Sequence, residues 1–233
     1  MGTFSLIFVH LLELIAAIFG TFYIFKYRED KSTRYFTYFL WLTVFVETVG
    51  LIPNIIQSVE SFGHLKETFW NQNFWLYNTY LILSFLFYLN YVKMNLKSSK
   101  LKKVLMIFFL IYGLSTIVNL VFSKVLFEAY SAYSFVVGSI LLFFSIGLYY
   151  YEILQSNAIL NFSRSIPFYF SVGTLVFHLC VTPLFIYSRY YSNRTSPEFV
   201  EVYALILTIA NIFMYTCYII GFLICSKKNK SYS

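Results

Sequence analysis

Charge is what this chain has least of: Asp, Glu, Lys and Arg make up 12% of its 233 residues, where a soluble domain carries about a quarter. A water-facing surface is thereby excluded. The three cysteines, Cys180, Cys217 and Cys225, are odd in number and form no Cys-x-x-Cys pair. That excludes a disulfide frame or a cysteine zinc site and leaves them as small core residues. No Gly/Ser/Pro-rich linker, charge block or low-complexity segment divides the chain, so residues 1–233 are expected to form a single domain. Gly-x-Ser-x-Gly, His-Glu-x-x-His, a phosphate-cradling glycine loop and a mid-depth lysine for retinal are also missing. An enzyme has no motif behind it, and no cofactor is expected.

What the chain has is apolar length. It is 59% hydrophobic and 23% aromatic, and runs near residues 4–25, 35–56, 74–92, 104–122, 132–154, 168–188 and 200–225 each reach about 30 Å as a helix, the thickness of a bilayer core. The expected fold is an all-α integral membrane protein, a bundle of seven transmembrane helices in a lipid bilayer. The first run is not expected to be a secretory signal, because no Lys or Arg precedes it and Glu13 interrupts it. Leu6 stands where a myristoylation signal needs Ser or Thr.

All 17 Lys and Arg fall between or after the runs. Thirteen lie on one side: Lys26, Arg28, Lys31, Arg34, Lys93, Lys97, Lys100, Lys102, Lys103, Arg164, Lys227, Lys228 and Lys230. Four, Lys66, Lys124, Arg189 and Arg194, lie on the other. The positive-inside rule then places the N-terminus outside and the C-terminus in the cytoplasm. An even number of helices would break this alternation. The net charge of +7 is mostly topological, with Lys93 to Lys103 suited to anionic headgroups. Nucleic acid is not expected as a partner, since no separate basic domain exists.

Residues three and four apart share a helix face. Polar residues keep that spacing in every run: His10, Glu13, Ala17 and Gly20 in the first; Thr43, Glu47, Gly50 and Asn54 in the second; Tyr77, Tyr80, Ser84, Tyr88 and Tyr91 in the third. Tyr112, Ser115 and Asn119 follow in the fourth, Ser134, Gly138, Ser145, Tyr149 and Glu152 in the fifth, Ser171, Thr174, His178 and Thr182 in the sixth, and Thr208, Asn211 and Tyr215 in the seventh. Small and hydroxylated residues serve as glue between transmembrane helices. Glue seldom requires a carboxylate, however, so the first, second, sixth and seventh stripes point to a polar central cavity.

Counted from its own end, each of Glu13, Glu47, His178 and Asn211 lies about ten to twelve residues deep, near the midplane. Ionisable residues at that depth are costly and mark ligand, ion or proton sites. No Lys or Arg shares it, so a protonated His178 is the one cation available to the acids. The candidate ligand or proton site is therefore Glu13, Glu47, His178 and Asn211 with Thr43 and Thr174. Pro53 and Pro183 each remove a backbone donor, freeing carbonyls at Val49 and Leu179 for a kink, a hinge or a ligand. Thr43 to Glu47 ahead of Pro53 also matches Thr174 to His178 ahead of Pro183, the pattern of a 3+1+3 parallel repeat as in seven-helix sugar-efflux transporters.

His10-x-x-Glu13 with Glu47 and His178 was weighed as a metal site and set aside, because His10 lies nearer the outer face and three histidines are too few. Glu152 is expected to reach water or Arg164, and Glu198 and Glu201 to favour the start of the last helix. Trp70 with Trp75, Tyr35 with Trp41, and Tyr190 with Tyr191 form interfacial belts, and Asn193-Arg194-Thr195 is an outward sequon.

In helix count, orientation, short loops and an aromatic, Lys/Asn-rich character, the whole chain resembles small stand-alone seven-helix membrane proteins of bacteria, and the seven-helix sensing regions that elsewhere precede kinase domains. The resemblance implies a bacterial inner membrane, and a sensor or ligand-binding module that signals through a partner protein, since the few residues after Ser226 are too short to signal alone. The alternatives are a small proton-coupled transporter and an intramembrane enzyme acting on lipid.

Overall fold

The computed structural model describes residues 3–28, 30–58, 68, 71–123, 125–187 and 197–227. Among these residues there is no strand. Seven helices run for 20 residues or more: α1 (Thr3–Lys26), α2 (Lys31–Gly50), α4 (Phe74–Asn95), α5 (Ser99–Ser123), α7 (Ala132–Leu154), α8 (Ile166–Tyr187) and α9 (Pro197–Lys227). Two short ones, α3 (Ile52–Ser58) and α6 (Val125–Glu128), extend α2 and α5. Six of the long helices are long and apolar enough to cross a membrane, as in a multi-pass membrane protein. An outer surface of Phe22, Leu114, Phe122 and Phe144 suits lipid, where only a helix or a closed barrel satisfies its own backbone.

The exception is α4, equally long but diluted by Tyr77, Asn78, Thr79, Tyr80 and Ser84. Its neighbours explain the difference. Helix contacts run α1 to α2, α2 to α4, α4 to α7, α7 to α8, α8 to α9 and α9 back to α1, a closed ring of six, while α5 packs outside the ring against α4 and α7. Helix α4 is thus walled by α2, α5 and α7, and needs less apolar surface than α5, the most apolar span.

Caps place the helix ends where hydropathy alone misplaces them. Helix α2 begins at Lys31 rather than 35, because the Asp30 carboxylate accepts the Thr33 N–H at 3.0 Å and the Thr33 hydroxyl at 2.6 Å. Helix α5 begins at Ser99 rather than 104. Here Glu152, expected to reach water or Arg164, instead accepts the backbone N–H groups of Lys97 at 2.5 Å and Ser98 at 2.8 Å, satisfying donors ahead of that helix. The second apolar run is not one helix: α2 stops at Gly50 and α3 starts at Ile52, so Pro53 falls in a first turn where its missing N–H costs nothing. Pro183, by contrast, stays inside α8. Glu198 lies in the first turn of α9. Lys66, Trp70, Lys124, Arg189, Tyr190, Tyr191, Lys228, Lys230 and the sequon at 193–195 lie outside the described residues.

Alternation of the helices gives the bundle two ends. One carries the start of α1, the break after α2 and the starts of α4, α7 and α9. At the other, the Tyr27 hydroxyl donates to the Ser226 carbonyl at 2.8 Å, joining the ends of α1 and α9. In this second half aromatic side chains fill the centre of the ring, and the pocket found there is lined by residues of α1 and α9 alone, among them Phe19, Tyr23 and Phe222. Phe36, fully buried, has ring centroids 5.4 Å from Tyr91, 5.3 Å from Phe170, 5.0 Å from Tyr218 and 5.7 Å from Phe222. Close backbone approach is made by glycine: a Cβ on Gly173 of α8 would stand 3.0 Å from the Met214 carbonyl of α9.

Candidate ligand cavity

In the first half the ring is hollow. A cavity of about 460 Å³ lies between the six ring helices and receives no residue from α5. Its wall runs from Leu51, Asn54 and Tyr203 near the end where α1 begins to Tyr88, Met214 and Tyr215 at depth. Five of the six residues picked out in the sequence line it: Glu13 from α1, Thr43 and Glu47 from α2, His178 from α8 and Asn211 from α9. Thr174 does not. One turn nearer the solid half, its hydroxyl is bonded to the Tyr218 hydroxyl at 2.6 Å, between α8 and α9.

Each polar group is held differently. Glu13 is buried, and His10 Nδ1 lies 3.3 Å from its Oε2 while His10 Nε2 lies 3.3 Å from the Thr48 hydroxyl. His10, which depth counting places nearer the outer face, therefore joins α1 to α2 and lines the same cavity. The His10-x-x-Glu13 spacing, one helical turn, was the signal for it. Glu47 Oε2 accepts the Tyr77 hydroxyl at 2.9 Å, within electrostatic range of both Glu13 and His10. Gly50 makes that bond sterically feasible, since a Cβ there would stand 2.3 Å from the Tyr77 hydroxyl oxygen. The Thr43 and Tyr80 hydroxyls are 2.6 Å apart. Asn211 donates to the Leu207 carbonyl at 2.9 Å, along its own helix.

His178, the one cation that the sequence makes available at that depth, makes no ion pair with Glu13 or Glu47. His178 is 3% exposed, and neither ring nitrogen has a hydrogen-bond partner. Aromatic rings surround it instead, with centroids at 5.0 Å for Phe85, 5.7 Å for Tyr88, 5.4 Å for Phe135 and 5.1 Å for Phe177. A buried polar side chain without a partner is costly unless something else satisfies it. The carbonyl that the helix break makes available is that of Gly50, one residue beyond Val49, and it accepts Asn73 Nδ2 at 3.1 Å. The Asn73 side-chain oxygen accepts the Tyr130 hydroxyl at 3.2 Å. At the same end Asn78 takes a purely structural part: it donates to the Ala129 carbonyl at 2.8 Å and accepts the Ser131 N–H at 2.9 Å, pinning the connection between α5 and α7 to α4.

Among the described residues no three His, Cys, Asp or Glu side chains gather as a metal-ligand group. Carboxylates, imidazoles and phenols line one partly open space of a volume ordinary for small molecules.

No protein-family model matches this chain, no curated protein is similar to it, and no solved structure matches its fold.

Proposed function

We propose that this protein is a membrane-embedded sensor, a ligand-binding bundle in which a small molecule entering from the outer side occupies the cavity and shifts helix packing. The observation that carries the reading is the cavity itself: a partly open, largely apolar space with a few polar groups, inside a closed helix ring and above an aromatic cluster. In this reading the bundle has seven spans, α4 included, in a bacterial inner membrane, with the basic ends of α1, α4 and α9 on the cytoplasmic side as the positive-inside rule favours and the cavity toward the outside. Ligand binding on that side changes the equilibrium between packings of α1, α2 and α9, and a partner protein reads the change at the cytoplasmic ends. The resemblance to seven-helix sensing regions belongs to this reading.

A carrier is the second reading, favoured by one set of paired contacts. Thr43 and Thr174 each bond a tyrosine on the next ring helix, Tyr80 or Tyr218, at 2.6 Å. The phenylalanine one turn earlier stacks on that same tyrosine in both places: Phe39 at 6.1 Å and 9°, Phe170 at 6.0 Å and 12°. A parallel repeat relating α1, α2 and α4 to α7, α8 and α9, with α5 outside, accounts for the match. Proteoliposomes with an entrapped pH dye separate the two readings. The sensor is expected to carry no proton flux above that of empty vesicles, and a flux abolished by Glu47→Gln would replace it with the carrier.

A further inference from the structure

We infer that the occupant of this cavity is a small organic cation, an ammonium group carried on an aromatic or alkyl body; the inference rests on the ligand-binding reading. Charge is the first support. Glu13 and Glu47 lie in the wall, and among the described residues no Lys or Arg does. Their contacts among the described residues leave Glu47 the freer of the two: Glu13 meets His10, an ion pair when His10 is protonated, whereas Glu47 is held by the neutral Tyr77 hydroxyl. An anion here would meet two carboxylates and no fixed cation, whereas a cation replaces the water that a buried carboxylate loses.

The remaining wall is the second support. Tyr77, Tyr80, Tyr88 and Tyr215 present ring faces and phenol oxygens, and Phe85 and Phe177 add apolar faces. Aromatic faces attract an organic ammonium and also accept its hydrocarbon part. A bare alkali ion would leave most of a 460 Å³ space and its apolar lining unfilled. The third support is independent of the acids. His178, 3% exposed and without a hydrogen-bond partner on either nitrogen, lines the same space, a buried polar side chain that the protein's own groups leave unsatisfied.

An ammonium group also occurs in phospholipid headgroups, joined there to a phosphate. Among the described residues no Lys or Arg in the wall offers that phosphate a charged partner. A free amine is therefore the occupant inferred.

The test uses the full-length protein, purified in a lipid-free detergent and again in nanodiscs of phosphatidylcholine or of phosphatidylglycerol. It is titrated calorimetrically with phenethylamine, with the neutral isostere 2-phenylethanol and with the anion 3-phenylpropionate. Phenethylamine should bind about tenfold or more tightly than the alcohol, with no binding of the acid, and Glu47→Gln or Glu13→Gln should weaken the amine by a similar factor while leaving the alcohol unchanged. Equal affinity in both nanodiscs supports a free amine. Competition by phosphatidylcholine alone overturns it in favour of a lipid headgroup. If alcohol or acid binds wild-type protein as tightly as the amine, the cation assignment fails and ligand binding stands. Absence of saturable binding by all three probes overturns both. The wild-type comparison decides these outcomes even if a variant fails to fold.

Discussion

The two halves of the ring use the same six helices and much the same aromatic residues, yet one is solid and the other hollow. In the solid half Phe36 touches rings from α4, α8 and α9, and a glycine lets α8 approach α9 closely. In the hollow half the wall positions are Glu13, Thr43, Glu47, His178 and Asn211. Lipid is as apolar as a protein core, so close packing and hydrogen bonds, not water exclusion, hold transmembrane helices together. The difference teaches that stability concentrates where the rings interlock, which leaves the other end of the same helices free to carry costly polar groups.

The sharpest break in this contrast comes from the solid half. Phe36→Ala should destabilise the bundle by about 3 kcal/mol or more, read as a lowered midpoint of unfolding in detergent. Equal loss from Glu47→Gln would show the carboxylate to be structural and erase the distinction. Gly50→Ala comes next. Its Cβ has to displace the Tyr77 ring from Glu47, at a cost of about 1 to 3 kcal/mol if the ring cannot swing clear, visible as changed tyrosine fluorescence and weaker amine binding. Thr43→Val and Thr174→Val should each lose about 0.6 kcal/mol, the usual value of such an interhelical bond. Only Thr43→Val should also alter ligand binding, because Thr174 lies outside the cavity wall. Tyr91→Phe closes the series: its buried hydroxyl has no hydrogen-bond partner, so removal should be neutral or slightly stabilising.

How much of this was legible beforehand follows from what periodicity encodes. A spacing of three and four tells which residues share a face, and depth counting tells their level, so Glu13, Glu47, His178, Asn211 and Thr43 were picked out and do line one cavity. Neither tells which helix a face meets. Thr174 sits on the His178 stripe, yet it is taken up by Tyr218 of α9 one turn below the cavity. Glu47 and His178 share a level, but the nearest partners offered to them by the ring are Tyr77 and four aromatic rings. The place of α5 outside the ring depends on long-range packing that no local pattern records, though its unbroken apolar character was a trace of it. Caps were missed where the partner is distant in sequence, as with Glu152 ahead of α5.

One measurement tests the hollow and solid halves together. With Cys180, Cys217 and Cys225 replaced by alanine, Asn211→Cys and Phe170→Cys are each exposed to a membrane-impermeant thiol reagent, from either side of oriented vesicles. Asn211→Cys should label from the side where α1 begins and be protected by phenethylamine, while Phe170→Cys, in the aromatic floor, should not label from either side. Labelling of Phe170→Cys as fast as Asn211→Cys, or an inert Asn211→Cys beside a labelled Phe170→Cys, would contradict a bundle hollow at one end and solid at the other.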